Sequence, residues 1–64
     1  MLLNGKNVPL GAPCTVEALL KMQGFRAEFV AVEVNGKLVP RAAFADEVVR
    51  DGDAVEIVTF VGGG

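Results

Sequence analysis

The chain has 64 residues, 52% of them hydrophobic and 22% charged, with six Lys and Arg against eight Asp and Glu for a net charge of −2. That size bounds it to one domain at the lower edge of what folds unaided, and the apolar content excludes a disordered segment, whose mark is low hydrophobicity with high net charge. The cations are scattered singly at Lys6, Lys21, Arg26, Lys37, Arg41 and Arg50, which argues against a nucleic-acid partner, and no apolar run nears the ~20 residues of a membrane span.

Residues 1–10 read as a hairpin, with Met1-Leu2-Leu3 leading into a turn at Asn4-Gly5 and Asn7-Val8-Pro9-Leu10 returning. Asn-Gly is the strong signal here, because a type I′ turn needs positive φ at both central positions. Pro9 has no N–H for a ladder and assigns the returning strand to a sheet edge. Residues 11–14 form a connecting loop. Thr15 then offers a hydroxyl N-cap, and Glu17 adds negative charge in the first turn. Val16, Leu19 and Leu20 fall on one stripe of a helix of two to three turns, which Gly24 closes.

Residues 29–35 alternate, placing Val30, Val32 and Val34 on one face of a strand and Ala31, Glu33 and Asn35 on the other. Asn35-Gly36 turns the chain, Lys37-Leu38-Val39 returns, and Pro40 ends that strand. The stretch 42–49 lacks the period of a long helix and is read as an irregular crossover, with Phe44, Val48 and Val49 entering the core from a helical turn. Asp51-Gly52-Asp53 marks the next turn. The last strand, Ala54 to Val61, directs Val55, Ile57 and Thr59 toward the helix and Glu56, Val58 and Phe60 away from it.

The order strand, strand, helix, strand, strand, crossover, strand predicts an α+β architecture of the β-grasp type, a mixed sheet with one helix packed across one face. A helix stripe and one sheet face then bury each other. The whole of 1–64 is one such domain, with the final strand beside the first near the sheet centre and Gly62-Gly63-Gly64 as a flexible tail. Val58 and Phe60, on the uncovered face next to that tail, form an apolar patch of the kind that meets a partner protein.

The inventory limits chemistry. There is no His, Tyr or Trp, so the commonest general base is missing and imidazole-based metal sites are excluded. The carboxylates lie in turns or alternate with apolar residues, as on a solvated face, so no self-contained active site is expected. A single cysteine, Cys14, supplies neither a disulfide nor the ligands of an iron-sulfur cluster, and reads as a half-buried hydrophobe before the helix. No signal-peptide pattern follows Met1, and the expected location is the reducing cytoplasm. The remaining handle is the α-carboxyl at the end of a glycine tail, since residues without a Cβ pass into a narrow cleft.

Asn35-Gly36 followed by Val39-Pro40-Arg41, Gly52-Asp53 opening the last strand, and Val61 before Gly63-Gly64 resemble, in order and spacing, the sulfur carrier proteins of thiamin biosynthesis, the ubiquitin-like ThiS family. The likeness rests on motifs over residues 30–64 and on layout over residues 1–29. The small subunit of molybdopterin synthase is similar at Gly52-Asp53 and Gly63-Gly64, but carries prolines where this chain has Val58-Thr59-Phe60. The ThiS resemblance implies that the Gly64 carboxylate is adenylated by an E1-like adenylyltransferase of the ThiF type, using that partner's ATP and magnesium. Sulfur from a desulfurase or rhodanese-like protein then converts it to a thiocarboxylate for a thiazole synthase of the ThiG type. It also implies a protein co-substrate rather than an enzyme, binding no cofactor or metal itself, with Gly62, Gly63 and Gly64 entering partner active sites. Arg41 reads as a solvated turn residue. The alternatives are a carrier serving molybdopterin or transfer-RNA thiolation, and an interaction-only β-grasp adaptor.

Overall fold

In the computed structural model, which describes residues 1–60, the chain runs β1 (Leu2–Leu3), β2 (Lys6–Asn7), β3 (Cys14–Thr15), α1 (Val16–Gln23), β4 (Val30–Val34), β5 (Lys37–Val39), β6 (Val48–Val49) and β7 (Ala54–Thr59). Short 3₁₀ turns occupy Ala27–Phe29 and Arg41–Ala43. Both Asn-Gly turns take the left-handed conformation at both residues: φ is 51° and 82° at Asn4-Gly5, and 53° and 82° at Asn35-Gly36. These values suit the tight hairpins β1–β2 and β4–β5, because such turns match the twist of the strands they join.

The main sheet has the order β2-β1-β7-β4-β5. Its middle strand, β7, runs parallel to β1 and antiparallel to β4. This is the mixed sheet of a β-grasp domain, with the last strand beside the first, as expected from the element order.

Helix α1 is secured at both ends by side chains and loops. The Thr15 hydroxyl accepts from Ala18 N at 3.1 Å. The two preceding amides find carbonyls in the crossover, Val16 N donating to Glu47 O and Glu17 N to Phe44 O, each at 2.9 Å. Three otherwise orphaned N–H groups are thereby satisfied. At the other end Gly24 sits at φ 80° and its N–H donates to Lys21 O, while Phe25 N donates to Leu20 O. This paired closure needs a left-handed residue, which glycine adopts without a Cβ penalty. Val16, Leu19 and Leu20 are almost fully buried and meet Leu3, Val30, Val32, Val34, Val55 and Ile57 of the sheet in a single core.

Four expectations are corrected. The return strand of the first hairpin is Lys6–Asn7 rather than 7–10, though Val8 N still donates to Met1 O at 2.8 Å. Cys14, expected in a loop, and the N-cap Thr15 pair with β6 as a separate two-stranded sheet, Cys14 opposite Val49 and Thr15 opposite Val48. The crossover therefore reaches the core in two ways: Phe44 enters after the 3₁₀ turn, and Val49 enters from a strand. Val48 does not enter it, because strand alternation turns it outward, 40% exposed. The last strand ends at Thr59, which is exposed although it shares the parity of Val55 and Ile57.

Candidate functional site

Strand β7, the last described strand, is held on both sides, and two turn asparagines do much of it. Strand β1 ends at Leu3, and beyond it the Asn4 side chain takes over as a further rung of the ladder. Ile57 N donates to Asn4 Oδ1 at 2.7 Å, and Asn4 Nδ2 donates to Ile57 O at 3.2 Å. On the opposite side Asn35 Oδ1 accepts from Ala54 N at 2.9 Å, and Asn35 N donates to Ala54 O at 2.7 Å. At the far end Phe60 N donates to Phe29 O at 2.7 Å. An amide carries both a donor and an acceptor, so it imitates a peptide group where the backbone has already turned away.

Asp53 joins this arrangement. Its carboxylate accepts from Arg50 N at 2.8 Å and from Asn35 Nδ2 at 3.0 Å, and these two hydrogen bonds, in that order, hold its pKa below the usual carboxylate value. Asp51 is likewise lowered, first by the Met1 amine at 3.0 Å and then by Leu10 N. A depressed folded-state pKa contributes stability that is present above the unfolded value, about 3.9, and is lost as pH falls through the folded one. Asp53→Asn is expected to be less stable than wild type at neutral pH, and its urea midpoint should fall less between about pH 4 and pH 2. A variant with the wild-type acid profile would remove Asp53 from this role.

The face of the main sheet turned away from α1 is left uncovered by the described residues. Alternation places Leu2, Ala54, Glu56, Val58 and Phe60 on it from β1 and β7, Ala31 and Glu33 from β4, and Leu38 from β5. Leu38 is 68% exposed, Val58 60%, Phe60 54% and Leu2 47%. Val58 and Phe60 therefore stand where the alternation of the last strand puts them. Register adds what spacing could not supply: Val58 is opposite Ala31, and Glu56 is opposite Glu33, with Leu38 next to Glu33.

Gly62, Gly63 and Gly64, the expected tail, with Gly64 the expected site of modification, lie outside the described residues. Among the described residues no group of three or more metal-ligating side chains is gathered, and no helix is long and apolar enough to cross a membrane. Cys14 is half-buried against the core, and Arg41 is exposed.

One helix laid across a mixed sheet, with the C-terminal strand locked in the middle and one face left open, defines a β-grasp domain. The ThiS family model matches residues 1–64, and the chain belongs to the ThiS family. It is 31% identical over 64 residues to the sulfur carrier protein ThiS of Escherichia coli, covering 97% of that protein. The crystal structure of a thiamine biosynthesis protein (ThiS) from Geobacter metallireducens superposes with a TM-score of 0.85 at 44% identity, covering 98% of this chain and 96% of that one. All 64 residues also align, at 45% identity, with a thiazole synthase of Paramagnetospirillum magneticum, of which the chain spans only 20% of the length.

Proposed function

We propose that this protein is a sulfur carrier of thiamin biosynthesis, and that its chemistry resides in the carboxylate of Gly64. The observation that carries the reading is the family match, which runs through the final glycine. It is supported by a fold whose central strand leads into that tail, and by relatives in which the same module forms part of a thiazole synthase. An α-carboxyl with a pKa of about 3.3–3.7 is ionised at neutral pH, so its oxygen attacks the α-phosphate of ATP in the adenylyltransferase and pyrophosphate leaves. The acyl adenylate is then attacked at carbon by a persulfide sulfur from a desulfurase or rhodanese-like donor, and AMP leaves. The bond formed is C–S, and the donor's own S–S bond is then cleaved by a thiol, which leaves as a disulfide with the donor and releases the thiocarboxylate. That group is nucleophilic through sulfur and is presented to thiazole synthase.

The carrier contributes position rather than catalysis. Four extended residues from Val61 to Gly64 span at most roughly 13–14 Å, enough to cross from a docked surface into a cleft. Val58 and Phe60, exposed beside the start of that span, form the apolar contact with the partner. ATP and magnesium belong to the adenylyltransferase, and the thiol and persulfide steps suit a cytoplasmic setting. The test is intact mass after incubation with ATP, magnesium, a persulfide source and the cognate adenylyltransferase. One oxygen-to-sulfur exchange at Gly64 is the expected result, and an unchanged mass with an active adenylyltransferase would refute the reading.

A further inference from the structure

The open face carries a feature that docking through apolar contact leaves unexplained. Glu33 of β4 stands opposite Glu56 of β7, and both are exposed. Asn35 N donates to Ala54 O, and Phe60 N to Phe29 O, so the even-numbered residues of β7 direct their peptide groups at β4. Glu33 and Glu56 are thus a hydrogen-bonded cross-strand pair with Cα atoms about 5.5 Å apart, their side chains adjacent on one face. Like charges directly opposite each other destabilise a sheet.

No ion pair among the described residues offsets that opposition. Among the described residues the ion pairs are Met1–Asp51 and Arg26–Glu28, and neither involves these carboxylates. The strand cations, Lys6 and Lys37, are paired with Leu3 and Val34 and so carry the parity of the helix side. A chain this small has little stability in reserve, yet it keeps two unpaired carboxylates framed by exposed Leu38, Val58 and Leu2. A second copy of the chain is a poor occupant, because a two-fold contact through this face would bring four carboxylates together.

We propose that Glu33 and Glu56 are the polar centre of the docking face and together receive one Lys or Arg side chain of thiazole synthase, with Val58, Phe60 and Leu38 seated on apolar surface around it. Charge complementarity selects a cationic residue, and an apolar rim that excludes water strengthens the contact. The choice of partner follows from the relatives that carry this module within a thiazole synthase chain, where the two surfaces share one polypeptide. The proposal rests on the carrier reading above.

The test is titration of wild type, Glu33→Gln, Glu56→Gln, the double variant and Glu17→Gln against the thiazole synthase of the same organism, at low and high salt. Each single variant on the face is expected to bind roughly tenfold more weakly, and the double variant to lose most of the salt dependence. Glu17→Gln, whose site is an exposed position on α1, should bind as wild type. Free Glu56→Gln should melt about 2–4 °C higher than wild type, because the repulsion is gone. A double variant that keeps wild-type affinity and salt dependence overturns the proposal, as does a loss confined to the adenylyltransferase. If wild type is charged with sulfur while these variants bind normally, the carrier reading stands and only this inference falls. If wild type is neither charged nor bound, both fall.

Discussion

A chain with one residue added beyond Gly64 is expected to fold as wild type and to yield no thiocarboxylate. Among the described residues the buried core runs from Met1 to Ile57, so an addition beyond Gly64 removes none of those packed side chains. The reacting carboxylate, however, moves by the length of one residue, about 3.3–3.6 Å, and the reaction tolerates far less. On the proposed carrier reading, Gly64→Ala keeps the carboxylate in register but adds a methyl where the tail would enter the partner's cleft. Charging slowed by roughly a hundredfold is expected, the scale at which small misplacements act. Gly62→Ala should be tolerated, since it lies before the terminal pair. Intact mass against time, with melting curves as the folding control, checks all three. Normal charging of the extended chain would contradict the assignment to Gly64, and complete failure of Gly62→Ala would contradict the division within the tail.

The parts of this fold that were legible in the sequence are those governed by short-range rules. Thr15 and Gly24 bracket α1 because capping depends on residues within one turn, and Val58 and Phe60 could be placed on the open face because strand alternation has a period of two. Asn4-Gly5 and Asn35-Gly36 were readable as turns. Their second role was not, because each amide reaches β7 only once that strand has inserted between β1 and β4. Asn35-Gly36 and Gly52-Asp53, separate motifs along the chain, become one joint in space through the Asn35–Asp53 hydrogen bond. The β3–β6 pair escaped for a different reason: two-residue strands are too short to show a period, and their pairing is fixed by α1 and the crossover around them. Glu33 and Glu56 were each assignable to the outer face, but their opposition is a matter of register. Register between distant strands follows from the packed core rather than from local spacing.

Ile57→Ala and the double substitution Val58→Ala/Phe60→Ala are expected to fail in opposite ways, although they alter neighbouring positions on one strand. Ile57 is 5% exposed, stands opposite Val32, and has its backbone gripped by Asn4. Removing its side chain beyond Cβ should cost about 2–5 kcal/mol, against roughly 3–10 kcal/mol for the whole domain at this length. A fall in melting midpoint of roughly 10 °C or more follows, with partial unfolding near 37 °C. Val58 and Phe60 face away from that core and are more than half exposed. Their truncation gives up strand propensity at Val58 and the minor part of each side chain that is buried, and the midpoint should move by less than about 5 °C. Binding to thiazole synthase should nevertheless weaken by about thirtyfold or more, the loss expected when apolar anchors leave an interface centre. The alternation that buries Ile57 is the same one that exposes Val58, so folding and docking separate along a single strand. Wild-type stability in Ile57→Ala, together with unfolding in the double variant, would mean that β7 presents its other face to the helix.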